Sequence, residues 1–275
     1  DSPLYCQDSV ISYLSDNERY ALANEVNQAF VDTVRAAGGE NGNRFLLIPG
    51  YGTNIQQTCD QRFVMPKDSA QDKLLISVHC YSPWSYCGAS SAASATPWGT
   101  KKNLEELHTE LRMMTKFTAQ GIGVVIGEYG ALPGSDGVMK DNAVGYHGYF
   151  LDICDRYGYC PVLWDTSGFY VRTSLAFSDA GMAELYDTRC FANEGEAEAV
   201  QAAAEEAMAA AMEAAPETFQ TDAIELTDDT CVAWIMWSSG DWSLSYSVGD
   251  TYTPDSCSPG IVPTDAVIEE AGTYT

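Results

Sequence analysis

No run of 18 apolar residues occurs in the chain, so no stretch of it can span a bilayer as a helix. Basic residues are scarce: 14 Lys+Arg stand against 39 Asp+Glu, a formal net charge of −25. Such a chain repels nucleic acid and anionic membrane surfaces, which leaves a neutral partner as the better fit. The same surplus also serves plain solubility. Nine cysteines are present without a Cys-x-x-Cys zinc pattern. The spacings Cys80–Cys87, Cys154–Cys160 and Cys231–Cys257 suit short-loop disulfides of a secreted protein, and an odd count leaves at least one thiol unpaired. The first residue is Asp1, with no Met and no signal peptide, which reads as a processed or trimmed start. At 45% hydrophobic and 11% aromatic residues the chain is globular, and 275 residues suffice for one large domain or two smaller ones.

Apolar and polar segments alternate along the first two thirds. Ser15 or Asp16 caps a helix predicted to run to about Ala37, with Ala23, Val26, Phe30, Val31 and Val34 at helical spacing and Gly38-Gly39 as its stop. Arg44 to Gly50 is a short strand, and Lys73 to Tyr81 is a second, ending with His79 and Tyr81 on one side of it. A long loop from Ser82 to Thr100 carries Trp84 and Trp98, and loops of that length are often functional. Asn103 to Gln120 reads as a helix whose methionines belong to the core. The apolar run Val124-Val-Ile-Gly127 is a third strand, covered on both faces, that stops on Glu128. Ala143 to Tyr157 is predicted helical, Cys160 to Asp165 is a fourth strand carrying Trp164, and Ser178 to Tyr186 is a further short helix.

This alternation predicts parallel α/β structure, and its spacing suggests a (β/α)8 barrel of the TIM type. Four strands are about half of one, and four strands cannot close a barrel alone. Residues 192–217, rich in Ala and Glu, read as a solvated helical spacer between residues 1–191 and a C-terminal module. From 218 to 275 the alternation turns to β, with Trp242, Leu244, Tyr246 and Val248 on one face, as in a small β-sandwich that stops abruptly at Thr275. Trp234, Trp237 and Trp242 there are either a glycan platform or, more simply, sandwich core.

In a parallel barrel the ends of all strands converge on one rim, so His79, Tyr81, Glu128 and Trp164 come together. A carboxylate with a hydroxyl, an imidazole and an indole face suits a sugar, which offers hydroxyls for polar contacts and an apolar C–H face for a ring. For Glu128 the simpler alternative is a solvated loop acid.

The stretches Asn27 to Gly39, Arg44 to Gly50, Val78-His-Cys-Tyr-Ser-Pro83, Gly127-Glu-Tyr-Gly-Ala131 and Val162-Leu-Trp-Asp165 resemble the second half of a family five glycoside hydrolase, in its endoglucanase and xyloglucanase branch. The resemblance covers roughly Cys6 to Tyr186. It implies a secreted enzyme that cleaves β-1,4-glucan with retention and needs no metal or organic cofactor, two carboxyl groups being enough. It casts Glu128 as nucleophile, Tyr81 as its hydrogen-bond donor, His79 as a substrate- and acid-contacting histidine, and Trp164 as the platform beneath the sugar. Trp84 and Trp98 are further candidate substrate contacts. The family's Asn-Glu-Pro acid does not occur here; Asn17-Glu18, Asn24-Glu25 and Asn193-Glu194 fall in or near helices. The chain therefore reads as beginning just past its own acid, inactive or nearly so alone, and monomeric. A non-catalytic glycan-binding protein is the alternative.

Overall fold

The computed structural model describes residues 14–134, 137–165, 168–192 and 197–217, and, beyond these, five short strands by their backbone. The chain divides into two compact units, Asp1–Glu217 and Thr218–Thr275. In the first, helix α1 (Asp16–Ala36) starts where Ser15 and Glu18 cap each other: Ser15 N–H donates to Glu18 Oε2 at 2.8 Å, and Ser15 Oγ accepts from Glu18 N–H at 3.4 Å. Strands β1 (Leu46–Asn54), β2 (Leu74–Cys80), β3 (Gly123–Tyr129) and β4 (Cys160–Leu163) form one parallel sheet in chain order. Helix α2 (Ile55–Cys59) follows β1; α3 (Trp84–Cys87), α4 (Lys101–Arg112) and α5 (Thr115–Thr118) follow β2; α6 (Ala143–Tyr157) follows β3. After β4 come a hairpin, β5 (Tyr170–Val171) with β6 (Ala176–Phe177), then α7 (Ala180–Ala192) and α8 (Ala197–Ala214).

The helix expected over 103–120 is two helices. Thr115 Oγ1 donates to the Arg112 carbonyl at 2.8 Å, and a side-chain hydroxyl competing for a helical carbonyl favours such a break. The last helix before residue 193 also runs six residues past the expected Tyr186, to Ala192.

Register explains where the core sits. Ile48 pairs with Ile76 and Ile76 with Val124, and all three are buried in the main apolar cluster with Leu104, Leu111, Phe150 and Ile153 of the helices. The neighbouring row, Leu47 with Leu75 and Leu75 with Gly123, turns the other way, since alternate strand residues point to opposite faces, and Leu47 is 45% exposed. Among the described residues the helices cover the Ile48–Ile76–Val124 face, while β3, the strand expected to be covered on both faces, has no exposed residue.

Helix α8 is not the solvated spacer that its composition suggests. Ala204 and Met208 are buried, and Met208, Ala211, Met212 and Ala215 join the main cluster. Small alanines let the helix lie close along α6, and Arg156 of α6 reaches Glu205 at 3.3 Å. Just beyond it, the Pro216 carbonyl accepts from Lys101 N–H at 3.0 Å. The first unit therefore extends to Glu217, past the boundary expected at 191.

Trp98 is likewise a core residue and not a substrate contact. It is 3% exposed and packs against Tyr86, Tyr146 and Tyr149 at ring separations of 6.3, 5.2 and 6.2 Å, so no ring face is left for a sugar. Its loop is fastened to the one after β3: Lys140 Nζ donates to the Cys87 carbonyl at 2.6 Å, Tyr86 Oη to the Asp141 carbonyl at 2.8 Å, and Asn142 Nδ2 to the Trp98 carbonyl at 3.1 Å.

Cys59, Cys80, Cys87, Cys154 and Cys160 are free, so the expected Cys80–Cys87 and Cys154–Cys160 bridges are not formed. Cys87 Sγ instead faces the Ser82 carbonyl at 3.7 Å, while Cys154 is buried and Cys160 exposed. The expected Cys231–Cys257 pair lies outside the described residues.

In the second unit, β8 (Cys231–Ser238) pairs antiparallel with β9 (Asp241–Val248) and with β10 (Val262–Pro263), and β7 (Ile224–Leu226) pairs with β11 (Gly272–Tyr274). Trp237 is opposite Trp242 in the ladder, and Trp234 opposite Ser245. The expected sandwich core and tryptophan platform concern side chains outside the described set.

Two pairs of substitutions test the packing by urea denaturation. Met208→Asp and Trp98→Ala each lower stability by about 3 kcal/mol or more, from a buried charge and a large cavity. Their exposed counterparts, Glu206→Gln and Trp84→Ala, stay within about 0.5–1 kcal/mol. Equal costs within either pair would contradict the assignment of α8 or of Trp98 to the core.

Candidate active site

Parallel pairing sets His79 opposite Glu128 and Cys80 opposite Tyr129, with an irregularity in the ladder after Val78 that carries both strand ends into the site together. Tyr81 follows β2 directly. Its hydroxyl donates to Glu128 Oε2 at 2.9 Å, and His79 Nδ1 lies 3.3 Å from the same oxygen. Two donors thus hold Oε2 and fix the carboxylate plane. Oε1 accepts no hydrogen bond from the described residues. The Glu128 and His79 side chains are 23% and 21% exposed, enough for a ligand to reach them.

The two groups that hold Oε2 are neutral donors. Burial first, and then the bond to Glu128, raise the Tyr81 hydroxyl well above its ordinary pKa, so it keeps its proton. Burial lowers the His79 pKa against the opposing pull of Glu128. A neutral His79 carrying its proton on Nδ1 donates to the carboxylate, which can only accept.

Aromatic rings flank this centre. The Trp164 backbone N–H donates to the Tyr129 carbonyl at 2.9 Å, which sets residue 164 beside the Glu128 turn, and Trp164 is 41% exposed. On the other side the exposed Trp84 meets the Tyr81 ring edge-on at 6.4 Å. Trp98 is away from both, in the core. A polar cavity of about 250 Å3 near the end of β1, lined by Tyr20, Tyr51, Asp60 and Arg62 among others, does not include Glu128. Its Asp60 is already committed to Arg62 by two side-chain hydrogen bonds of 2.8 Å.

The sequence reading missed two supports of the Glu128 turn. Tyr129 is buried, stacks on Phe150 at 4.2 Å and shares a hydrogen bond with the Tyr186 hydroxyl. His147, fully buried on α6, faces the Ala131 N–H at 3.4 Å. A histidine in the apolar stretch Ala143 to Ile153 was a visible signal, but its partner is a backbone group and leaves no trace in sequence.

The family model for cellulase, glycosyl hydrolase family 5, matches residues 8–169, more than half of the chain. The chain belongs to glycosyl hydrolase family 5. An endoglucanase A from Paenibacillus barcinonensis is 35% identical over 173 residues, which cover 54% of this chain and 42% of that protein. A xyloglucan-specific endo-beta-1,4-glucanase from Bacteroides ovatus is 28% identical over 187 residues, covering 57% of this chain and 35% of that one. Among solved structures, a broad-specificity endoglucanase from an uncultured bovine rumen ciliate superposes with a TM-score of 0.55 at 31% identity, over 62% of this chain and 54% of that chain. This family 5 chain therefore spans about half or less of these relatives. The family's fold is the (β/α)8 barrel, and the sheet β1–β4 with its helices is part of one.

The buried histidine gives a pH prediction for this family 5 chain. Burial pushes the His147 pKa down to about 4, against an ordinary 6.5. Between these values the unfolded chain binds more protons than the folded one, so stability falls with falling pH. The contribution, about 3 kcal/mol in total, is fully present above pH 6.5 and is lost as pH drops through 4. Chemical denaturation at pH 7, 5 and 4 should show this slope, and His147→Phe should flatten it. An unchanged slope in that variant would contradict the assignment.

Proposed function

We propose that the chain carries the nucleophilic half of a retaining β-1,4-glucanase, acting on cellulose, mixed-linkage glucan or xyloglucan. What supports this most is the Glu128 carboxylate itself, held on Oε2 by Tyr81 and His79 at a parallel-sheet edge in a family 5 chain. In this reading Glu128 Oε1 attacks the anomeric carbon, the bond to the leaving oxygen breaks, and a glycosyl-enzyme ester forms. Tyr81 and His79 keep the carboxylate aimed. Trp164 stacks beneath the sugar at the reacting bond, and Trp84 meets the chain farther along. The names of the relatives, an endoglucanase and a xyloglucan-specific glucanase, support this class of polymer as substrate. Polymeric glucan lies outside the cell, so the site of action is extracellular.

A retaining reaction needs a second carboxyl group about 5–5.5 Å from the first, to protonate the leaving oxygen and then to activate water. Among the described residues no further Asp, Glu, His or Cys gathers with His79 and Glu128 into a cluster of three. In this reading the acid is supplied by a part of the family 5 barrel outside this chain. The chain alone should then release no reducing sugar from carboxymethyl-cellulose or xyloglucan, and turnover at a rate typical of enzymes would sink the proposal.

The two exposed tryptophans favour a second reading, glycan binding without cleavage. Pull-down on insoluble cellulose separates them. Binding that survives Glu128→Gln but is lost in Trp84→Ala with Trp164→Ala supports a binding role, and no binding by the parent chain removes it.

A further inference from the structure

We propose that His147 is a positioning residue for the reaction, one that locks the turn carrying Glu128 to the loop carrying Trp164. The inference rests on the reading of Glu128 as nucleophile and Trp164 as platform. Both ring nitrogens of His147 are committed. Nδ1 lies 2.7 Å from the Ala143 carbonyl, which only accepts, so the proton sits on Nδ1. Nε2 then offers its lone pair to the Ala131 N–H, three residues past Glu128. The turn passes beside the imidazole: Gly130 takes φ +150°, a conformation that side chains disfavour, and its Cβ position lies at van der Waals distance from Nε2, 3.7 Å, and from the Phe169 ring, 3.4 Å.

The same imidazole touches the second loop. Phe169 stands edge-on to it at a ring separation of 5.0 Å. Phe169 N–H donates to Asp165 Oδ1 at 3.0 Å, and Asp165 directly follows Trp164. With the Trp164 N–H on the Tyr129 carbonyl, the two loops are joined at both ends of a short circuit, and His147 is the side chain common to them. A phenylalanine would fill the space but accept nothing from Ala131. A glutamine carries a carbonyl that can.

Protonation breaks the circuit, because a second N–H at Nε2 would point at the Ala131 N–H. The titratable groups around the ring are Tyr129 of β3 at 5.9 Å and Tyr146 of α6 at 5.3 Å, and the Tyr129 hydroxyl in turn bonds that of Tyr186 on α7. No carboxylate or cation acts on it among the described residues; burial, and the Ala143 carbonyl against it, set its titration.

The full chain with 15N labelling tests this, using amide exchange, a pH titration and cellotetraose as probe ligand. In His147→Phe the Ala131 amide should exchange about tenfold faster, the loss of one net hydrogen bond, while Ile76 and Val78 in β2 keep their protection. The cellotetraose-induced shift of the Trp164 indole should weaken in His147→Phe and return in His147→Gln. In the parent chain the Ala131 amide should show a titration step near pH 4 that both variants lack. Unchanged Ala131 exchange in His147→Phe, equal loss of protection at Ile76 and Val78, or a step that persists in both variants would each overturn the proposal. If cellotetraose fails to bind the parent chain, the glucanase reading fails, and the exchange and titration results still decide the role of His147.

Discussion

Everything at the candidate site depends on the register of a parallel ladder. Glu128 is the last residue but one of β3, and His79, some fifty positions earlier in sequence, is the last but one of β2. Only their pairing brings an imidazole and a phenol onto one carboxylate oxygen. A slip of one residue would turn His79 to the opposite face, because side chains alternate along a strand. The rows Ile48–Ile76–Val124 and Leu47–Leu75–Gly123 prevent that slip: the first is packed under the helices, and exchanging it for the second would expose isoleucine and bury a glycine.

From that ladder the support spreads outward through α6. Its inner face carries Phe150 beneath Tyr129 and His147 beneath the Glu128 turn, and α8 lies along its flank. The loops that bear Trp84 and the residues after Ala131 are fastened by Lys140, Tyr86 and Asn142 to backbone carbonyls. Tyr86 and Asn142 do this with neutral groups, and Lys140 sets one ammonium on the Cys87 carbonyl. Tyr81 and a neutral His79 both donate to one oxygen of Glu128, so no cation is placed on that carboxylate by either of them.

Much of this was legible in sequence, for identifiable reasons. Strand ends are visible where an apolar run stops on a polar residue, so Glu128, His79, Tyr81 and Trp164 could be named, and parallel topology predicts that they meet. Trp84 and Trp98 could not be told apart. Both lie in one loop, and only the three tyrosines around Trp98, one from that loop and two from α6, show that it is core. The Ala/Glu helix misled because alanine is read as a helix former and seldom as a packing surface. The pattern Ala204, Met208, Ala211, Met212, Ala215 was nonetheless present at helical spacing. The cysteine spacings suggested bridges that burial and side-chain direction do not form. His147 was invisible as a support because its partner is a main-chain N–H.

The central claim is that Glu128 is a nucleophile whose acid partner lies elsewhere. A substrate whose leaving group needs no proton isolates that claim: 2,4-dinitrophenyl 2-deoxy-2-fluoro-β-cellobioside releases dinitrophenolate unaided, and its fluorine slows hydrolysis of the ester that forms. Peptide mass spectrometry of the treated chain should find one fluorinated cellobiosyl group on the peptide containing Glu128, and none in Glu128→Gln. No label on the parent chain, or the same label in Glu128→Gln, would contradict the account.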